Sequence, residues 1–178
     1  MRKAVGVALL AAVLLFAVTA FVSCKKDESR LKAAASQRFS GAFSCSASIV
    51  CKGRQYVVEY SRTADGDSSL KFSKPAELSS LDLSLGKSGL TIKYGSLSTV
   101  VDPSCFPQAS FIHALDGVFD SAASDGRLSL SPDGRRASIK GRAESGPFTL
   151  ELDKSMSPTR LTIPSLGLKA DFTSFRKT

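Results

Sequence analysis

Residues 39–51 read Phe39-Ser40-Gly41-Ala42-Phe43-Ser44-Cys45-Ser46-Ala47-Ser48-Ile49-Val50-Cys51. Phe39, Gly41, Phe43, Cys45, Ala47, Ile49 and Cys51 fall on one side of an extended chain, and Ser40, Ser44, Ser46 and Ser48 on the other. A period of two held this long describes a strand with one apolar and one solvated face. Downstream, Lys52-Gly53 turns the chain, and Tyr56, Val58 and Tyr60 repeat the alternation. Ala64-Asp65-Gly66-Asp67 is a hairpin signal, after which Leu70 and Phe72 follow the same rule.

The pattern continues through Leu81/Leu83/Leu85, Leu90/Ile92/Tyr94 and Leu97 to Val101. It resumes at Leu128/Leu130, turns at Ser131-Pro132-Asp133-Gly134, and runs through Ala137/Ile139, Phe148/Leu150/Leu152, Leu161/Ile163 and Leu166/Leu168/Ala170/Phe172. This makes about eleven strands, nearly all joined by Gly, Pro, Asp or Ser, as in an up-and-down antiparallel sheet. A sheet that long curls. Between Asp102-Pro103 and Asp125-Gly126, the residues Phe111, Ile112, Leu115, Val118, Phe119 and Ala122 recur at helical spacing, with His113, Asp116 and Asp120 opposite. Pro103 and Pro107 suit the start of this helix and Gly126 its exit; Gly117 in its middle costs about 1 kcal/mol relative to Ala. The predicted fold is therefore mainly β: a curved antiparallel sheet forming an incomplete barrel, its opening covered by one helical lid.

The N-terminus has a different character. Met1-Arg2-Lys3 is followed by an uncharged run from Ala4 to Val22. The run is long enough to span a membrane, but Phe21-Val22-Ser23-Cys24 before Lys25-Lys26-Asp27-Glu28 resembles the lipobox of bacterial lipoproteins. On this reading residues 1–23 are a removed signal peptide, Cys24 carries the lipid, and residues 24–37 tether the anchor to a domain over 38–178. An uncleaved helix is the alternative, as is a short amphipathic helix over Ser29 to Gln37 in place of a loose tether. In each case the domain lies outside the cytoplasm, held at the cell membrane or an outer membrane. Two or three acyl chains anchor firmly, whereas one holds marginally.

Removing Cys24 leaves Cys45, Cys51 and Cys105, an odd number for an exported chain. Cys45 and Cys51 on one strand are about 20 Å apart at roughly 3.3 Å per residue, too far to pair. Either one of them pairs with Cys105 or all three are buried thiols. Three cysteines and one histidine make no zinc site, and no cofactor or metal is expected. The net charge is +8, falling to +6 once Arg2 and Lys3 are removed. That excess favours anionic headgroups weakly, and without a basic stripe interleaved with aromatics it does not indicate nucleic acid.

The order of pieces resembles the LolA- and LolB-like carrier and receptor proteins of the bacterial envelope. Leu70-Lys71-Phe72-Ser73-Lys74-Pro75 looks like that family's strand leading to a basic residue and proline, and Gly89-Leu90-Thr91-Ile92-Lys93-Tyr94 like its glycine turn and apolar strand. The Pro-flanked helix after Val101 and the hairpin with Phe148-Thr149-Leu150-Glu151-Leu152-Asp153 fall in the corresponding places. The resemblance implies a half-barrel whose cavity receives acyl chains of lipids or lipoproteins without covalent chemistry. It also implies an arginine that locks the lid, for which Arg38, Arg54 and Arg62 are candidates. The family's interior tryptophans are absent, and Lys25 is not the aspartate that retains some lipoproteins at the inner membrane.

The cavity candidates are Phe43, Cys45, Ala47, Ile49, Val58 and Tyr60 on the first strands, then Leu70, Phe72, Leu83 and Ile92. Phe111, Leu115, Val118 and Phe119 would face them from the lid. The competing reading of the same residues is an ordinary filled core, which would turn the protein into an envelope sensor or regulatory lipoprotein with a protein partner. Catalysis is not expected. His113 is the only histidine and no Gly-x-Ser-x-Gly elbow occurs. Gly86-Lys87-Ser88 lacks the first glycine of a phosphate loop, because Leu81 stands there. Asp65 and Asp67 show too few oxygen ligands for calcium.

Overall fold

Eleven strands pair antiparallel in the computed structural model, which describes residues 32–102, 111–124, 126–130 and 136–178. They are β1 (Phe43–Cys51), β2 (Arg54–Arg62), β3 (Ser68–Lys74), β4 (Leu81–Gly86), β5 (Gly89–Tyr94) and β6 (Leu97–Val101), then β7 (Arg127–Leu130), β8 (Ala137–Ala143), β9 (Gly146–Leu152), β10 (Pro158–Ile163) and β11 (Leu168–Lys177). Their order across the single sheet is β6-β5-β4-β3-β2-β1-β11-β10-β9-β8-β7. Two meanders thus run outward from a central seam between the first and last strands. The sheet is not closed: β6 and β7 end it on either side. Residues from Ala35 onward form one compact unit.

Among the described residues two α-helices accompany the sheet: α1 (32–39) and α2 (Phe111–Ser124). Helix α2 buries Ile112, Ala114, Leu115, Val118, Phe119 and Ala122, the expected stripe with Ala114 added and Phe111 half-buried. It lies along β8 and reaches β3, so it bridges the concave face from one wing to the other. Gly141 of β8 makes that crossing possible. A Cβ there would stand 2.6 Å from the Phe148 ring and 2.8 Å from Ser121 Oγ of α2. Gly117, unfavourable in an isolated helix, similarly faces Ala143 closely.

Three expectations are corrected. Strand β1 begins at Phe43, not Phe39: Phe39 ends α1, and Gly41 at φ +86° reverses the chain before the alternation starts. Helix α1 replaces the last part of the loose tether in keeping with the alternative of a helix over Ser29 to Gln37, but runs on to Phe39, with Ala35 and Phe39 buried in the domain. Leu166 belongs to a 3-10 turn (Pro164–Leu166) before β11, not to the strand. The signal segment, Cys24, Pro103, Cys105, Pro107 and the turn at Ser131-Pro132-Asp133-Gly134 lie outside the described residues. Gly86-Lys87-Ser88 is a hairpin corner, with Gly86 paired to Gly89 across a two-residue turn.

One irregularity shapes the interior. Ala47 pairs with Phe172 but Ser46 pairs with Ser174, so Thr173 is an extra residue in β11. Such a bulge restores the face of the next side chain. Phe172 and Phe175, three apart, therefore both lie opposite concave-face residues of β1, Ala47 and Cys45.

Gly141→Ala should lower stability by about 1–3 kcal/mol, the usual range for overpacking. Chemical denaturation followed by circular dichroism measures this, and an unchanged midpoint would mean that α2 does not approach β8 as described.

Candidate functional site

The residues expected to line a cavity do converge. Phe43, Cys45, Ala47 and Ile49 of β1, Val58 and Tyr60 of β2, Leu70 and Phe72 of β3, and Leu83 of β4 are buried on the concave face. Leu115, Val118 and Phe119 are buried against them from α2, while Ile92 and Phe111 are half-buried. Under α2 these side chains fill the space. The Phe119 ring stands 5.6 Å from Phe39, 5.0 Å from Phe43, 5.5 Å from Tyr60 and 6.1 Å from Phe172, centre to centre. Phe175 closes the group at 5.0 Å from Phe43 and 5.9 Å from Phe39. Tilted and edge-on pairs of this kind contribute roughly 0.5–1.5 kcal/mol each beyond the area they bury. This half of the concave face is a solid aromatic core.

A polar latch borders that core. Tyr60 Oη donates to Asp116 Oδ1 at 2.5 Å, and Ser68 Oγ donates to Asp116 Oδ2 at 2.9 Å. One turn further along α2, Arg62 Nη2 meets Asp120 Oδ1 at 2.6 Å. Asp116 is thus turned toward the sheet, correcting the expectation that it faces solvent with His113 and Asp120. The helix is amphipathic, but its edge rests over β2 and β3, where a carboxylate finds hydroxyl donors. His113 is also half-buried, its Nε2 enclosed without a hydrogen-bond partner. Of the three candidate locking arginines, Arg62 is the one paired to α2. Arg38 instead donates to Ser157 Oγ at 2.8 Å and lies 4.9 Å over the Phe175 ring, fixing α1. Arg54 is exposed at the start of β2.

Beyond the latch the concave face continues onto β4, β5 and β6 with less cover. One cross-strand row passes from Leu70 through Leu83 and Ile92 to Thr99, and its members go from buried to half-buried to exposed. A second row joins Leu81, Tyr94 and Leu97; Tyr94 is 51% and Leu97 72% exposed. Near its start, Tyr56, Phe72 and Phe111 stack edge to edge, Tyr56 and Phe111 at 4.9 Å and Phe72 and Phe111 at 6.1 Å. The Tyr94 hydroxyl donates to Glu77 O, which tilts that ring toward the short 3-10 turn Ala76–Leu78. The apolar surface thus extends past the covering helix to one open edge.

The opposite, convex face is a bed of small hydroxyls. Ser44, Ser46, Ser61, Ser69 and Ser174 line a shallow cleft of about 360 Å³ with Lys71, Glu59 and Arg176 at its margins. Cys45 and Cys51 are both free thiols; Cys51 Sγ donates to Leu166 O. Burial pushes the Cys45 thiol up to about 12. Burial first, and then the Asp116 charge, pushes the Tyr60 phenol up as well.

The architecture is shared with solved structures. An uncharacterized conserved protein from Thermus thermophilus superposes with a TM-score of 0.52 at 11% identity, covering 82% of this chain and 83% of its own. LolA superfamily protein NE2245 from Nitrosomonas europaea gives 0.46 at 10% identity over 85% of this chain and 93% of its own. A chain of the Pseudomonas aeruginosa MucA/MucB complex gives 0.46 at 15% identity, with 82% of this chain matching 54% of that one. At these identities the likeness is one of fold alone. No protein-family model matches the sequence, and no curated protein sequence matches it.

Two outcomes are expected. In a double-mutant cycle of Tyr60→Phe and Asp116→Ala, the coupling should be about 1–3 kcal/mol, as for a buried hydrogen bond to a charged group; additivity would remove the latch. An unfolded thiol titrates near 9.0, so above that pH the unfolded chain releases a proton that folded Cys45 keeps until about 12. Stability should therefore fall as pH rises through that window. Cys45→Ala should flatten the onset of the fall, leaving the share due to Tyr60 at higher pH. An unaltered stability–pH profile in that variant would contradict the burial of this thiol.

Proposed function

We propose that this domain is a non-catalytic binding module, lipid-anchored through Cys24 on the outer side of a bacterial membrane. Its ligand is an apolar chain, the acyl group of a lipid or lipoprotein, lying on the uncovered wing of the concave face. The supporting observation is the pair of apolar rows that run out from under α2 and end exposed at Ile92, Tyr94 and Leu97. The occupied half and the open half share one surface, so a chain laid on the wing meets Phe72, Leu81 and Phe111 at its inner end.

Magnitudes favour exchange over storage. Burying an acyl chain gains about 0.8 kcal/mol per methylene, and a bilayer offers nearly the same. A module with an open wing then passes its ligand on without working against a deep well. A second reading, an envelope protein partner, is favoured by the solid core beneath α2, which leaves that half of the face no room for a ligand.

Titration with a fluorescent fatty acid tests the first reading. Leu97→Asp and Ile92→Asp should each weaken binding about tenfold or more, as roughly 1.4 kcal/mol of lost contact requires. Val100→Asp, on the other face of β6, should leave it intact. Equal binding in all three would exclude the wing. Anchoring is tested separately by metabolic labelling with a clickable palmitate: the native chain should be labelled and Cys24→Ser should not.

A further inference from the structure

We propose that β6 is a docking edge for an extended, acidic segment of a protein partner, added to the sheet as a twelfth strand. The proposal gives a surface to the partner-binding reading above and does not require an acyl ligand on the concave face. Among the described residues β6 pairs with β5 alone, through five consecutive register pairs from Leu90–Val101 to Tyr94–Leu97 with no bulge. Its sequence, Leu97-Ser98-Thr99-Val100-Val101, contains neither charge nor proline. Free edges are ordinarily guarded by charge, proline, a bulge or brevity. The opposite edge shows such guarding: β7 has four residues and opens on exposed Arg127. Strand β6, one residue longer, carries neither charge, proline nor bulge.

Each face of this edge presents one exposed apolar side chain. Leu97 is 72% exposed on the concave side and Val100 61% exposed on the convex side. An added strand therefore finds a cross-strand side-chain partner on each face, together with the row of backbone hydrogen bonds that gives such additions their affinity.

Charge selects the occupant. On the convex face one row runs Lys71, Asp82, Lys93, Ser98. Lys71 and Asp82 pair at 3.9 Å, and Lys93 is left exposed with no acidic partner among the described residues. Ser98, small and next in the row, leaves the Lys93 ammonium free to reach a residue on the added strand. The position opposite Ser98 is thus suited to Asp or Glu, with apolar residues alternating on the concave side. A second copy of this chain fits less well. It brings its own Lys93 and the same excess positive charge, +6 once residues 1–23 are removed, and a five-residue edge is far short of the roughly 1,200–2,000 Å² of a stable two-domain interface.

The test uses the full chain in phosphatidylcholine nanodiscs and a fluorescein-labelled ten-residue peptide alternating Val and Glu. Anisotropy should show saturable binding that weakens about tenfold or more in Val100→Glu, where like charge now faces the peptide, and several-fold in Lys93→Ser. Added salt should weaken it as well. A Val/Lys peptide should not bind. Hydrogen exchange should slow in residues 97–101 and not in β7 on adding the Val/Glu peptide.

Absence of binding, binding indifferent to Val100→Glu, or no protection of β6 overturns the proposal. So does a sedimenting dimer that forms without peptide and dissolves in Val100→Glu, which assigns the edge to a second copy. Adsorption to phosphatidylglycerol vesicles that depends on Val100 assigns it to a lipid surface and equally overturns the proposal. Fatty-acid titration of the same samples keeps the readings apart: acyl binding without peptide binding sinks this proposal alone, and peptide binding without acyl binding sinks only the acyl reading.

Discussion

Phe119 is the residue on which the covered half of the molecule depends. A curved sheet with an apolar concave face is stable only if something covers it, and here a single helix does so through one large side chain set among Phe39, Phe43, Tyr60 and Phe172. These contacts draw on α1, β1, β2 and β11 at once, so the helix, both central strands and the N-terminal turn share one packing centre. Removing a buried aromatic ring of this kind typically costs about 3–5 kcal/mol, a large fraction of a domain's total stability.

The polar contacts beside it have a different role. Arg62 and Asp120 meet where the aspartate is largely exposed, and an ion pair in that setting contributes little to stability. Asp116, held by Tyr60 and Ser68, is more enclosed and fixes the rotation of α2 about its own axis. Together they set the boundary between the filled basin and the wing. The distinction matters functionally, because the aromatic side of that boundary leaves no space for a ligand and the β4–β6 side remains accessible.

The alternation from Phe43 to Cys51, repeated along the chain, was enough to foresee an open antiparallel sheet of eleven strands with one covering helix. Hydrophobic periodicity reports burial, and burial is what the sheet and α2 share. What it does not report is whether a buried stripe meets another side chain or a void, so the same residues read equally as cavity and as core. Asp116 was misplaced for a related reason: a helical wheel assigns polar residues to water, whereas a hydroxyl from the facing sheet satisfies them too. The bulge at Thr173 shifts the period by one, so a strict count of two places Phe175 on the convex face. The helix at 32–39 has a short apolar pattern, essentially Ala35 and Phe39, so the sequence offers a helix over Ser29 to Gln37 only as an alternative to a charged, Ala-rich tether and does not carry it on to Phe39.

The central seam of the sheet joins the two extremes of the domain. β1 lies against β11 along nine residue pairs, Thr178 N donates to Ala42 O, and the Lys177 ammonium reaches Gln37 O. A ribosome delivers β1 first and β11 last, so the innermost pair of the sheet is also the one separated by the longest stretch of chain. Until β11 emerges, β1 has only β2 beside it and exposes its other edge, while the aromatic basin lacks Phe172 and Phe175. Long-range closures of this sort are slow to form and leave unpaired strand exposed in the meantime. The central seam therefore forms only once both ends of the domain are present, and until then β1 keeps one unpaired edge.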